Sequence, residues 1–231
     1  MSRRILAVTG ASVKIRRVTA PDQAPAGRRY GGLTVEERRA ERRARLEAAA
    51  LQIAGTRGWA EATMTEICRV AGLTERYFYE SFRTREELYG ALIDDLDREL
   101  REAAFDAIAG EGLTPEDRVE GAIRAIVELY VRDPHRGRAA LIEGIGVRAL
   151  EEQRRRALLG LFALLAERWT AFFPDVGADA GERAVRATAI GGAVTALLSG
   201  RLDGHLQVDD DALVRTVVAT VTAIAAAPLQ G

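Results

Sequence analysis

A series of helix-start signals constrains this 231-residue chain more than any other feature of its sequence. In four of them a threonine or aspartate is followed three residues later by glutamate, which is the spacing of a capping box. In two others the capping residue stands directly before proline, which suits the first position of a helix. The last one opens a run of three aspartates, where the helix dipole favours acids. The capping residues are Thr34, Thr63, Thr84, Thr114, Asp133, Asp179 and Asp209.

These signals predict an all-α fold of about nine helices. Aromatic residues make up only 6% of the chain, and no long segment alternates polar with apolar residues, so we do not expect a sheet. The predicted helices cover residues 35–56, 64–71, 74–81, 85–110, 115–132, 135–149, 151–173, 180–201 and 209–227.

Several kinds of site are not expected. The chain has one cysteine, Cys68, and two histidines, His135 and His205, which is a poor supply of ligands for a metal. Its longest apolar runs fall short of the ~20 residues that a membrane helix needs. The short apolar run near the N-terminus does not reach the roughly 7–15 residues of a signal-peptide core. We therefore expect no cofactor, no metal and no membrane partner, and a cytoplasmic location.

The charge of the chain is distributed unevenly. Residues 1–33 hold seven basic residues against Asp22 alone, a net charge of +6. Residues 34–89 hold ten arginines and ten glutamates, and residues 90–231 carry −7. Pro and Gly interrupt the first segment, so we expect residues 1–33 to form a flexible basic extension. Such an extension indicates a polyanionic partner or a solvated tail, and charge alone does not separate the two.

The first predicted helix begins with a cluster of arginines that includes Arg38, Arg39 and Arg42. Cations near a helix N-terminus oppose the helix dipole, so local stability does not explain them. Contact with phosphate would explain them. The alternative is a solvated face on which they pair with the neighbouring glutamates.

Residues 63–82 carry the most specific pattern in the chain. A short helix with Ile67 facing inward ends at Gly72, which permits a left-handed turn. Thr74 then caps a second short helix whose Phe78 and Phe82 lie on one face. This arrangement is a helix-turn-helix, in which the second helix enters the major groove of DNA.

The segment from Trp59 to Leu88 resembles the DNA-binding domain of the tetracycline-repressor (TetR) family. The matching elements are Thr63, Ile67-Cys68, Ala71-Gly72-Leu73-Thr74, Phe78-Tyr79-Glu80-Ser81-Phe82 and Thr84-Arg85-Glu86. The resemblance implies an N-terminal three-helix DNA-binding domain over residues 34–84. It also implies a C-terminal helical domain for effector binding and dimerisation over residues 85–231.

Roles for single residues follow from this resemblance. Thr63, Tyr79 and Arg85 would contact phosphate, and Thr74 would cap the second short helix close to the DNA backbone. Glu75, Arg76 and Tyr77 would face the bases, where arginine suits guanine and glutamate suits a cytosine amine. The family often has other residue types at these three positions, so the operator sequence stays open. Arg28 and Arg29 could enter the minor groove, as the arms of other helix-turn-helix proteins do.

The C-terminal half is expected to bind a small molecule and a second copy of the chain. The resemblance implies an effector pocket among its apolar helices, and an apolar lining suits a hydrophobic ligand. Small residues recur at every fourth position of the segment 180–201, which lets helices approach closely. The candidate effector contacts are Tyr130, His135, Glu143, Arg148 and Trp169. The predicted dimer interface comprises Ala184, Thr188, Gly192, Ala196, Gly200, Val217 and Val221.

These features favour a homodimeric repressor that leaves a palindromic DNA operator when a small-molecule effector binds. Two alternatives remain at this point. The first is a DNA-binding protein without sequence preference, whose affinity would vary little between sites. The second is a small helical enzyme, although the chain contains no nucleophile elbow, no P-loop and no His-Glu-x-x-His motif.

Overall fold

A computed structural model describes residues 34–143 and 148–228, and within them the chain is helical and contains no strand. The predicted basic extension, with Arg28 and Arg29, lies outside the described residues. The helices are α1 (Val35–Arg57), α2 (Met64–Ala71), α3 (Glu75–Ser81), α4 (Arg85–Ile108), α5 (Pro115–Tyr130), α6 (Pro134–Leu141), α7 (Arg148–Glu167), α8 (Trp169–Phe172), α9 (Ala180–Leu202) and α10 (Asp210–Ala226), with a short 3-10 turn at Trp59–Glu61.

The helix starts lie where the capping signals predict them, but two of the predicted capping boxes are incomplete. Thr34 and Asp179 each close a full box with the glutamate three residues on. Thr63 and Thr84 accept a hydrogen bond from the backbone amide of that glutamate, but its carboxylate is bonded elsewhere. The Glu66 carboxylate accepts from the Arg69 guanidinium, and the Glu87 carboxylate accepts from both the backbone amide and the guanidinium of Arg83. At Glu66, a charged donor competes successfully with a neutral amide for the carboxylate.

The described residues contain ten α-helices, one more than the predicted number, because the chain breaks at Arg168. The sequence predicts one helix over residues 151–173, yet α7 ends at Glu167 and α8 begins at Trp169. The break turns Trp169 into the core, where its ring centroid lies 4.6 Å from that of Phe173. The predicted helix over 135–149 is also shorter, since α6 ends at Leu141. At Arg168, burial of the Trp169 indole outweighs the local preference to continue α7.

Two clusters of buried apolar side chains form the interior. The first lies among α1, α2, α3 and the beginning of α4, and it also takes in Ala139 of α6 and Leu150 of α7. The second lies among the end of α4, α5, α8, α9 and α10. Helix α4 contributes to both, with Leu96 in the first and Leu100 in the second. Helix α4 therefore extends without a break from the first cluster to the second.

Helix α6 packs directly on α1 and so adds a second connection between the clusters. Gly55 of α1 lies against the backbone of His135, so closely that a Cβ at residue 55 would collide with it. The Tyr89 hydroxyl of α4 lies 3.0 Å from the carbonyl oxygens of Ala139 and Glu143. Burial raises the pKa of this phenol well above its usual range, so it stays a hydrogen-bond donor.

Across these described helices, none is both long and apolar enough to pass through a bilayer.

Candidate functional site

Helices α2 and α3 form a helix-turn-helix, and Gly72 makes the turn possible. Gly72 has φ 63° and ψ 39°, a left-handed conformation that side chains rarely adopt. The amide of Leu73 donates to the carbonyl oxygen of Cys68 at 2.9 Å and closes the end of α2. Phe78 of α3 is buried against α1 and α2. With that face fixed, the opposite face of α3 is presented to solvent.

The exposed face of α3 carries three of the predicted DNA-contacting side chains. Glu75 and Arg76 are exposed, and Tyr79 retains 60% of its maximal exposure, which is unusual for a large aromatic residue. Tyr77 is only half-buried, with the Arg42 guanidinium 4.5 Å above its ring centroid. This surface therefore presents one carboxylate, one guanidinium and one exposed phenol as hydrogen-bonding groups.

The arginines of α1 connect α1 to the ends of the two short helices. Arg39 donates to the carbonyl oxygen of Glu80 at 2.7 Å, and Arg43 donates to that of Ser81 at 3.3 Å. Arg45 donates to the carbonyl oxygen of Ala71 at 2.6 Å. These acceptors are the last carbonyl groups of α2 and α3, which have no partner inside their helices and carry the negative end of the dipole.

These contacts give the arginines of α1 a role within the fold, beside the predicted phosphate contact and the alternative of a solvated face. The arginines oppose the dipole of α1 but complement the C-terminal ends of α2 and α3. Arg42 is also engaged within the chain, with Nη2 3.4 Å from Oε2 of Glu80. Arg38 is half-buried on α1. Predicted phosphate contacts by Arg39 and Arg42 would require them to leave or share these partners.

The remaining predicted contacts lie around the helix-turn-helix. Thr63 is exposed at the start of α2, where its Oγ1 accepts from the Glu66 amide at 3.2 Å. Thr74 stands at the start of α3 and is exposed, but its side chain makes no capping hydrogen bond, contrary to the prediction. Arg85 donates to the carbonyl oxygen of Ala62 at 3.1 Å, so its guanidinium joins α4 to the 3-10 turn.

A mainly apolar cavity of about 170 Å³ lies among α4, α5, α7 and α9. Most of its wall consists of leucine, isoleucine, valine, alanine and phenylalanine. Its polar lining residues are Asp97, Arg101, Tyr130, Arg154, Arg168 and Thr195.

Of the five predicted effector contacts, Tyr130 lines this cavity and the other four do not. His135 packs on Gly55, and Glu143 accepts from the Trp59 amide at 2.8 Å. Arg148 is exposed at the start of α7, and Trp169 is buried in the second cluster beside the cavity.

Arg154 lines the cavity but is not among the predicted effector contacts, although the sequence carries a signal for its position. Arg154 precedes Leu158, Leu161 and Leu165 at helical spacing, which places it on the same face of α7. An arginine at the end of an apolar stripe is easily interpreted as a solvated residue, but here it lines the cavity.

The predicted dimer residues separate into two groups. Ala184, Thr188, Gly192 and Ala196 are exposed along one face of α9, and Gly200 is half-buried. Val217 and Val221 of α10 are instead buried in the second cluster of this chain, so they are unavailable to a second copy. The exposed face of α10 carries Arg215, Thr216, Ala219, Thr222 and Ala223.

Comparison with known proteins identifies the helix-turn-helix. Residues 46–92 match the bacterial regulatory proteins of the TetR family. The chain is 30% identical over 90 residues to an uncharacterized HTH-type transcriptional regulator, YdgC, of Bacillus subtilis, which is 39% of this chain and 46% of that protein. It is 37% identical over 83 residues to the HTH-type transcriptional regulator BetI of Rhizobium meliloti, which is 36% of this chain and 40% of that protein. The chain thus spans less than half the length of these curated relatives.

The likeness in fold extends much further along the chain. A TetR transcriptional regulator from Legionella pneumophila superimposes with a TM-score of 0.58 at 18% identity, covering 77% of this chain and 94% of that one. At this identity the comparison shows a shared fold. Residues 46–92 thus match the TetR family of bacterial regulatory proteins in sequence, and the described helices share the fold of a TetR regulator.

Proposed function

We propose that the protein is a homodimeric, sequence-specific DNA-binding repressor that releases a palindromic operator when a small-molecule effector binds. The exposed face of α3, fixed by the buried Phe78 within a helix-turn-helix of this family, carries the proposal. Members of the family are regulators and not enzymes, so a small helical enzyme is set aside.

Base reading is assigned to the exposed end of α3. Arg76 would pair with the O6 and N7 atoms of guanine, and Glu75 would accept from a cytosine amine. In the free protein Arg76 Nε lies 3.2 Å from Oε1 of Glu80, so DNA has to replace that ion pair. An exposed pair of this kind is worth about 0–1 kcal/mol, which a base contact of roughly 1–3 kcal/mol exceeds.

Dimerisation is assigned to the exposed faces of α9 and α10, which pack against each other within the chain. Four small residues on α9 allow close approach, and Val185 beside them has 62% of its maximal exposure. Two copies joined about a two-fold axis would present two α3 helices to two half-sites.

Effector binding is assigned to the cavity in the C-terminal half. Helix α4 lines the cavity and also begins at the helix-turn-helix, so a change in its position would alter the separation of the two α3 helices. A ligand shifts this equilibrium only by its differential affinity for the two states. The predicted boundary between residues 84 and 85 would therefore separate two functions and not two separately packed units, because α4 contributes side chains to both clusters.

Selection from a random duplex library tests the proposal, with full-length protein at physiological salt. We expect an enriched palindrome, and we expect an Arg76→Ala variant to enrich a motif with relaxed preference at one position of each half-site. An Arg155→Ala variant is the control, because Arg155 is exposed on α7 and pairs with Glu152. Binding without an enriched motif would favour a DNA-binding protein without sequence preference, and binding to a single unrepeated motif would contradict the dimer.

A further inference from the structure

The cavity holds an imbalance of charge. Four charged side chains line it, one acidic and three basic. Asp97 and Arg101 neutralise each other, with Nε of Arg101 2.8 Å from Oδ2 of Asp97. Arg168 is exposed to solvent, and its guanidinium lies 5.3 Å from the ring centroid of Phe105. Among the cations that line the cavity, Arg154 is therefore the one that has neither a carboxylate partner nor an exposed position.

Arg154 is a half-buried cation whose hydrogen bonds are incomplete. No carboxylate of the described chain lies within 4.0 Å of its guanidinium nitrogens. Its Nη1 donates to the carbonyl oxygen of Leu141 at 3.1 Å, and its Nε is buried without any hydrogen-bond partner in the described part of the protein. A buried donor left unpaired costs roughly 1–3 kcal/mol, and more when it is charged. An anion in the cavity would remove this cost.

The position of Arg154 makes it one end of an elongated site. Leu150, one turn earlier on α7, belongs to the first cluster, so Arg154 stands at the end of the cavity nearest the helix-turn-helix. From there the cavity follows α4 from Ile93 to Ile108, about 22 Å of helix axis. Apolar side chains supply most of this length. The arrangement suits a molecule with one charged end and a long apolar remainder.

We infer that the cavity binds an amphipathic anion, a carboxylate on an aliphatic chain, with the carboxylate on Arg154. This inference rests on the proposed function, in which the cavity is the effector site. The guanidinium offers Nε and an Nη nitrogen to the two carboxylate oxygens, a bidentate geometry that a primary ammonium cannot reproduce. The aliphatic chain of the ligand then lies along Leu100, Leu158 and Leu165.

The same residue connects the site to the DNA-binding end. Leu141, whose carbonyl oxygen accepts from Arg154, is the last residue of α6, and α6 packs on α1. A carboxylate on Nε and Nη2 of Arg154 leaves Nη1 on that carbonyl oxygen, so one guanidinium holds both the ligand and the end of α6. The head group of the ligand therefore lies one hydrogen bond away from the helix that contacts the DNA-binding unit.

Calorimetric titration of the full-length protein with three ligands of equal chain length tests the inference. These are decanoate, decanol and decylammonium. We expect decanoate to bind at least tenfold more tightly than the other two. Arg154→Gln should lose that preference and still bind decanol with unchanged affinity, which also shows that the cavity is intact. Arg154→Lys should retain part of the preference, and Arg155→Gln, on the exposed side of α7, should retain all of it.

Three results would overturn the inference: equal affinity for decanoate and decanol, no binding of decanoate, or a preference that survives Arg154→Gln. The proposed function is judged separately by adding decanoate to the protein on its selected DNA. Tight decanoate binding that leaves DNA affinity unchanged would support the ligand class and contradict the effector role. Failure to select any DNA would contradict the regulator and leave the titration as a valid test of the site.

Discussion

At the scale of single residues, the groups that a side chain contacts decide its role more than the residue type does. Arginines on α1, α3 and α7 have the same chemistry, yet their partners differ. Arg45 completes the end of α2, Arg76 is exposed on α3 and paired with Glu80, and Arg154 holds a buried Nε without a partner. The first stabilises the fold, the second can exchange its partner for a base, and the third can take a ligand.

Tyr79 supplies a residue-scale test of the DNA-facing surface. Its side chain is exposed, so Tyr79→Phe should leave the free energy of unfolding within about 0.5 kcal/mol of the wild-type value. If its hydroxyl donates to phosphate, affinity should fall by roughly 0.5–1.5 kcal/mol for all DNA sequences alike. Fluorescence anisotropy with specific and unrelated duplexes measures this. Equal affinity of Tyr79→Phe and wild type on both duplexes would contradict the phosphate contact.

Glu66 provides a test of stability against pH. Hydrogen bonds from Arg69 and Arg57 lower the pKa of its carboxyl from 4.5 to about 2. Because the folded pKa lies below the unfolded one, the stabilisation is complete above pH 4.5 and disappears as the pH falls through about 2. Glu66→Gln should therefore be less stable than wild type at neutral pH, with a gap that closes on acidification.

Thermal melts of both proteins between neutral pH and pH 2 measure that gap. Glu61→Gln is the control, since Glu61 lies in the adjacent 3-10 turn and is exposed. A gap between Glu66→Gln and wild type that stays constant down to pH 2 would show that shape and neutral hydrogen bonding, rather than charge, make Glu66 stabilising.

At the scale of elements, helix starts are local and could be predicted, whereas partners distant in sequence could not. The threonine or aspartate and the glutamate of a capping box lie within one turn, so Thr34 and Asp179 identify their helices without any tertiary information. Glu143 and the Trp59 amide, 84 residues apart, meet only in the folded chain.

Helix faces were predicted with mixed success for the same reason. The small residues of α9 indicated an outward face, and Gly192 is indeed exposed. Helix α10 has apolar residues on more than one side, and only packing against its neighbours shows that Val217 faces inward. The end of an apolar stripe is equally ambiguous, which is why the sequence alone does not show that Arg154 lines the cavity.

The face of α9 can be tested with one substitution. A side chain on Gly192 would meet nothing within 4 Å in this chain, so Gly192→Arg should fold. If two copies pack there, the substitution buries unpaired charge in the interface and should convert the dimer to a monomer. Light scattering after size-exclusion chromatography gives the mass. Ala163→Arg, on the exposed face of α7, is the control, and a dimeric Gly192→Arg protein would place the interface elsewhere.

At the scale of the whole molecule, charge is divided among three parts of the chain. Residues 34–89, which include the helix-turn-helix, have no net charge, and residues 90–231 carry −7. Several arginines of α1 have partners inside the fold, as Arg39, Arg42 and Arg45 show. Long-range attraction to DNA therefore has to come mainly from residues 1–33, which carry +6.

Removal of residues 1–33 should consequently weaken binding to all DNA sequences and flatten its dependence on salt, because every neutralised phosphate contributes about 0.9 to the slope of log K against log salt. The preference for the selected site should persist, because base contacts and not phosphate contacts specify sequence. A full-length variant with serine at all seven basic positions of this segment separates charge from length and should match the truncated protein. An unchanged salt slope in either protein would show that the attraction arises within the helical part of the chain.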